Sequence, residues 1–201
     1  MTEPDLTFKG GPEIGPGATL LAFWRWAFSD LSDDDIKGIF AEWMVGMLLG
    51  LPLETSRRVS WADSDLVLPK GRTIEVKSSA VWQSWKMIAT DGTRKEVAPI
   101  ERIDPRRHRF SGLQARTAVT VAKHDEQRRF KSDFYVFCMH IQRDPKLWDA
   151  WDLMQWRFFL LSREDLSRAR VGQSVSLATL ESLQAPMSAS EFQIYARRMM
   201  G

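Results

Sequence analysis

The side chains able to do chemistry gather in one stretch, Trp61 to Trp85, WADSDLVLPKGRTIEVKSSAVWQSW. It reads as two strands, Ser60 to Leu68 and Thr73 to Ser78, joined by a turn at Pro69-Lys70-Gly71-Arg72, where proline presets φ and glycine accepts a positive one. Side chains at i and i+2 share a face of a strand. Glu75 and Lys77 therefore point one way and Ile74 and Val76 the other, while Asp63 and Asp65 share a face of the first strand. A hairpin brings Asp65 close to Glu75. Two carboxylates and an ammonium among apolar neighbours are a costly arrangement for a core. A divalent cation with oxygen ligands would offset the repulsion. Asp63 stays open as the alternative first ligand, because a different register would exchange the two aspartates.

Asp65 followed ten residues later by Glu75-Val76-Lys77 resembles the motif of the PD-(D/E)XK nuclease superfamily. The continuation Ser78-Ser79-Ala80, with Gln83 and Trp85, is similar to a variant of that motif in small bacterial members. The resemblance spans roughly residues 36–85. It implies a restriction-endonuclease-like α/β core, a central mixed β-sheet flanked by helices. It also implies Mg²⁺, for which Mn²⁺ can substitute, held by Asp65 and Glu75 with the Val76 carbonyl assisting. Lys77 would position the attacking water and steady charge on the phosphate. A helix before the hairpin often adds one more glutamate in this superfamily, and Glu42 matches that role. The chain departs from the pattern in having no proline before the first aspartate: Ala62 precedes Asp63 and Ser64 precedes Asp65.

Several elements must position these groups. Ser32 is the expected N-cap of a helix whose first turn holds Asp33, Asp34 and Asp35, where the helix dipole favours negative charge. That helix should end near Gly50 and Pro52. Its expected apolar face is Ile36, Ile39, Phe40, Trp43, Met47 and Leu48, with Glu42 at the margin and Gly46 one turn on, where a neighbour can come close. Gln83, six residues past Lys77, is expected to reach it from the first turn of a following helix. DFYVFCMHI is the clearest strand, apolar on both faces and thus central. Within it Cys138 and His140 read as buried core groups rather than a metal pair. RFFLLS reads as a further strand, and Ser162 as the cap of a short helix. Residues 19–29, TLLAFWRWAFS, are apolar almost all round and predict a largely buried helix in which Phe23, Trp24 and Trp26 serve the core or an oligomer contact. Ser190 is the expected cap of the last helix.

Composition narrows the partners. With 201 residues and 44% apolar content the chain supports one core. The expected layout is a loose lead-in over 1–18, rich in Gly and Pro, and a single domain over 19–201. No apolar run is long enough for a membrane span, and the start, MTEPDLTFKGGPE, lacks the pattern of a signal peptide. One cysteine excludes an intramolecular disulfide and a cysteine zinc cluster. A cytoplasmic location is the resulting expectation.

Charge is uneven: residues 1–56 carry nine acids against three bases, and residues 94–131 eleven bases against five acids. A basic segment alone reads as solvated surface. Beside the hairpin it suggests a polyanion, with Arg106, Arg107, Arg109, Arg128 and Arg129 as candidate contacts to a nucleic-acid backbone. The leading expectation is thus a metal-dependent nuclease, with DNA the expected substrate, endonucleolytic cutting the expected mode and a homodimer compatible with it. A second reading, of another class, is a nuclease-like fold that binds nucleic acid or serves assembly and cleaves little or nothing.

Overall fold

The computed structural model describes residues 18–53, 58–59, 62–83, 98–120 and 123–200. The lead-in, Trp85 and the start of the expected first strand lie outside them. The described residues form a mixed α/β structure around a four-stranded sheet. Its strands are β1 (Leu66–Val67), β2 (Thr73–Ala80), β6 (Phe134–His140) and β7 (Trp156–Ser162), in the order β1-β2-β6-β7. β2 runs parallel to β6, from Ile74 opposite Phe134 to Ala80 opposite His140. β6 pairs antiparallel with β7, and β1 antiparallel with β2. A parallel pair needs a long crossover. Here it contains β3 (Arg109–Ser111) and the hairpin of β4 (Ala115–Thr120) and β5 (Lys123–Arg129). β3 pairs outside the main sheet with β8 (Ser174–Ser176).

All seven residues of β6 are buried, as its unbroken apolar run requires of a strand covered on both faces. On one face α2 (Asp34–Leu48) and α5 (Ala189–Met200) contribute Phe40, Met44, Val45, Phe192 and Ala196 against Ile74, Val76, Val136 and Phe158. On the other, Phe110, Val175, Leu177 and Leu180 cover Tyr135, Phe137, Met139 and Phe159, with α3 (Arg163–Arg168) and α4 (Leu177–Leu183) at the margin. Each such side chain, fully buried, contributes roughly 1.5–3 kcal/mol of transfer free energy. Cys138 and His140 lie within this core.

Five local expectations are corrected. The helix over residues 19–29 forms as α1 (Leu20–Phe28), capped by Thr19, but none of its residues is buried and Trp26 is 85% exposed. A sequence apolar on every side says that a helix can be covered, not that an element exists to cover it. α2 is capped by Asp33, whose Oδ1 accepts the N–H of Asp35 at 3.0 Å. Ser32 is buried and instead donates its own N–H to Asp30. The buried stripe of α2 is Lys37, Phe40, Ala41, Met44, Val45 and Gly46, leaving Trp43 and Met47 exposed. Small residues decide the rotation: Leu53 fills the space where a Cβ on Gly46 would stand. The first strand of the hairpin is only Leu66–Val67, because Asp63 to Asp65 bend away from extended geometry. Finally, the last helix begins at Ala189 and Ser188, not Ser190, exchanges hydrogen bonds with Glu191 at its start.

Other local signals hold. Leu51 N–H bonds Gly46 O and Gly50 N–H bonds Met47 O, with Gly50 at φ 71°, a Schellman ending for α2. Gly71 stands at φ 78° in the hairpin turn, where Leu68 and Arg72 close the backbone at 2.8 Å. Ser162 and Asp165 form a capping box on α3.

Candidate active site

β2 sets the site by its alternation. Ile74 and Val76 face the α2 side of the core, and Glu75 and Lys77 emerge on the opposite face. There Lys77 Nζ lies 2.7 Å from Glu75 Oε1, with both side chains about four-fifths covered (23% and 19% exposed). Gly112, at φ 71°, passes over this pair: a Cβ on it would stand 3.6 Å from Lys77 Nζ. Among the described glycines it is the one whose position bears directly on the lysine.

Asp65 occupies the edge of β2. Its N–H bonds the Ile74 carbonyl, and its Oδ2 accepts the Val76 N–H at 2.7 Å. The carboxylate therefore takes the place of a continued strand partner just where β1 stops. The N–H and C=O of one strand residue face the same neighbour, so the Val76 carbonyl is directed to the same edge as Asp65. Burial, then the nearby charge of Glu75, raise the Asp65 pKa to about 6; the Val76 N–H and Lys77 oppose the shift and Glu42 adds to it. Glu75, Glu42 and Lys77 are thus each within electrostatic reach of Asp65.

Glu42 reaches the group from α2. Its carboxylate is gripped by Arg58, whose Nη2 lies 2.7 Å from Oε1 while Nε bonds Oε2. The hydrogen bond to Glu42 holds the Arg58 guanidinium above its ordinary value. Glu42, Arg58, Ser64 and Asp65 line one groove of about 520 Å³ whose remaining wall is apolar, including Ile39 and Leu53.

Two sequence expectations for the site change. Asp63 does not share a face with Asp65: its side chain is exposed and bonds Lys131 at 2.7 Å. The bend that shortens β1 removes the alternation on which the shared face depended. Gln83 accepts from Lys37 Nζ at 3.1 Å and donates to the Ala80 carbonyl, so its hydrogen bonds run to α2 and to its own turn rather than to Lys77. Lys37 is the residue that sequence reasoning missed. It is 2% exposed and also bonds Asp34 at 2.6 Å. Its signal was present in the spacing 37, 40, 41, 44, 45, which puts it on the buried stripe.

The candidate backbone contacts divide into two places. Arg107 pairs with Asp104 at 3.3 Å and Arg109 Nη2 donates to Ser174 at 2.7 Å, while Arg106 is exposed beside them. Arg107, His108 and Arg109 border a hollow of about 450 Å³ with Arg102, Ser79 and Gln83. Ser79 follows Glu75 and Lys77 on the same strand face, so the hollow, whose lining also includes Asp34 and Asp104, continues that face. Arg128 and Arg129 lie apart from it, exposed on β5.

Among the described residues no group of three or more His, Cys, Asp or Glu side chains is gathered as a ready metal site. Glu42 and Glu75 are each engaged by a cation of the chain itself. The donor chemistry nevertheless fits a hard divalent ion: a carboxylate with a raised pKa, two further carboxylates near it, and a backbone carbonyl directed to the same edge. Comparison of the chain with family models, with curated proteins and with solved structures gave no match. No helix of the described residues is long and apolar enough to cross a membrane.

Proposed function

We propose that the chain is a metal-dependent nuclease that hydrolyses DNA phosphodiester bonds on a restriction-endonuclease-like core. The observation that carries this reading is Asp65, a largely buried carboxylate kept against the charges of Glu75 and Glu42 at the edge of the strand that bears Lys77. Its raised pKa marks an ionised form at a cost to folding, and a bound cation would reverse that cost. Asp65 and Glu75, with the Val76 carbonyl and Glu42, would hold Mg²⁺ or Mn²⁺. The ion would supply a water acidic enough to attack and charge to neutralise the phosphate. Lys77 does the positioning: its ammonium donates to the attacking water and to the phosphate oxygens on which charge develops. Gly112 leaves the space over Lys77 that a phosphate needs. The arginines of the neighbouring hollow attract the flanking backbone without reading bases.

A second reading is a nucleic-acid-binding or assembly module with little cleavage. The closed ion pairs of Glu75 with Lys77 and of Glu42 with Arg58 favour it. The deciding experiment is cleavage of plasmid and of linear single-stranded DNA with Mg²⁺, Mn²⁺ or EDTA, comparing the intact protein with Glu75→Ala. Metal-dependent cutting that Glu75→Ala abolishes establishes the nuclease. Salt-sensitive DNA binding by both proteins without cutting selects the binding module.

A further inference from the structure

Glu75 and Glu42 each meet a cation of the chain, but the two pairs differ in kind. Lys77 Nζ, a compact point charge, lies 2.7 Å from Glu75 Oε1. Arg58 takes both oxygens of Glu42: Nη2 stands 2.7 Å from Oε1 while Nε bonds Oε2. A forked guanidinium on a carboxylate is a strong pair with a fixed geometry. The Glu42 side chain is 13% exposed and that of Arg58 44%. The carboxylate is thus held in the fold by α2, while its partner is open to solvent over nearly half its surface.

This pair stands among the candidate metal ligands. Glu42, Arg58 and Asp65 line the same groove. After the hydrogen bond and the charge of Glu42, the charge of Asp65 also steadies the guanidinium. Arg58 therefore neutralises the carboxylates that a divalent ion would neutralise. Each Glu42 oxygen keeps a second lone pair. An ion placed on it would stand beside the guanidinium, like charge against like charge, where burial weakens solvent screening. The ion and the forked pair are alternatives.

We infer, on the metal-dependent reading of this site, that Arg58 is an exchangeable counter-ion: its guanidinium holds the Glu42 carboxylate in the metal-free protein, and a divalent cation gains that ligand only by displacing it. Arg58 is then a positioning residue that acts through Glu42 and takes no part in the hydrolysis. Exposure decides which partner moves. Glu42 belongs to α2 beside the buried stripe, whereas Arg58 is exposed and outside the core, so its release leaves the packing intact. The chain thereby sets the cation concentration at which its third carboxylate becomes available.

Calorimetric titration of the whole chain with Mn²⁺, in the absence of DNA, tests it. The site counted is the one that Asp65→Asn removes. Arg58→Gln should bind Mn²⁺ there about tenfold more tightly than the parent. Arg58→Lys keeps the charge and loses the fork, and should fall between the two. In a Glu42→Gln background the gain from Arg58→Gln should vanish, because the carboxylate that the arginine guards is gone. Where that background binds too weakly to titrate, the charge-conserving Arg58→Lys decides the same point. Circular dichroism in EDTA checks that each variant is folded. A gain of equal size with and without Glu42, or no gain in Arg58→Lys, makes Arg58 a distant charge and overturns the proposal. Equal Mn²⁺ affinity of the parent and Arg58→Gln also overturns it, with the metal site left standing. If neither protein binds Mn²⁺ at millimolar concentration, the metal-dependent reading falls and this inference falls with it.

Discussion

Neutralising Asp65 should make the protein more stable and inactive at once. The folded carboxyl titrates at about 6 against an ordinary value of 3.8. Between those values the folded chain binds more protons than the unfolded one, so this group's contribution to stability falls as pH rises through the window. Above about pH 6 the whole cost is present. The difference, at 1.36 kcal/mol per pH unit, is roughly 3 kcal/mol. Asp65→Asn resembles the protonated carboxyl and keeps an oxygen for the Val76 N–H. At pH 8 in EDTA it should therefore unfold roughly 3 kcal/mol later, or about 6–12 °C higher for a chain of this size. The gain should shrink steadily toward pH 4. The assay is denaturant and thermal unfolding followed by circular dichroism at several pH values. Adding Mg²⁺ at pH 8 should raise the midpoint of the intact protein and leave Asp65→Asn where it was. A variant less stable than the parent at pH 8, or a gain of equal size at pH 4 and pH 8, would refute the electrostatic account of this residue.

Other outcomes follow from the same structure. Lys77→Met should slow DNA cleavage by about a hundredfold or more in single-turnover assays, while DNA binding in Ca²⁺ is kept. His140 is buried with its Nε2 at 3.1 Å from the Asp149 carbonyl, and burial lowers its pKa from 6.5 to about 4. Its contribution to stability is complete above pH 6.5 and is lost as pH falls toward 4, so Asp65→Asn, freed of the opposing group, should lose roughly 3 kcal/mol over that range; an NMR titration of the ring would check the midpoint. Gly71→Ala, at φ 78°, should cost about 1 kcal/mol in urea unfolding by straining the turn that sets the register of Leu66 against Ile74.

What sequence alone revealed depends on the range of the interaction. DFYVFCMHI announced a buried central strand because its neighbours could be apolar on either side. The Pro-Lys-Gly-Arg turn and the ending of α2 were legible because their hydrogen bonds close within a few residues. The capping box of Ser162 and Asp165 is equally local. Contacts between distant segments left weaker traces. The bond from Lys37 to Gln83 spans 46 residues, and the pairing of β3 with β8 joins three-residue segments far apart in the chain. The β5 run, KHDEQRR, is polar throughout and has no alternation to mark a strand. The exposure of α1 could not be read because it depends on what stands opposite. Within the site, the i, i+2 rule placed Glu75 and Lys77 together, but it failed for Asp63 and Asp65 because a bend intervenes.

The parallel seam between β2 and β6 also bears on how the protein acquires its candidate site. Ile74 and Phe134 are register partners across sixty residues of chain, whereas β6 and β7 meet through a much shorter connection. Closing the longer loop first would forfeit more chain entropy for the same contacts. The β6–β7 hairpin is therefore the expected template, with β2 expected to arrive late and bring Glu75 and Lys77 with it. Asp133 serves as the latch on arrival: its carboxylate accepts both the N–H and the hydroxyl of Thr73, while its other oxygen is held by Arg163 beside β7. A chain still emerging from synthesis would thus carry the carboxylates long before it carried a site, and competence to act would coincide with completion of the fold.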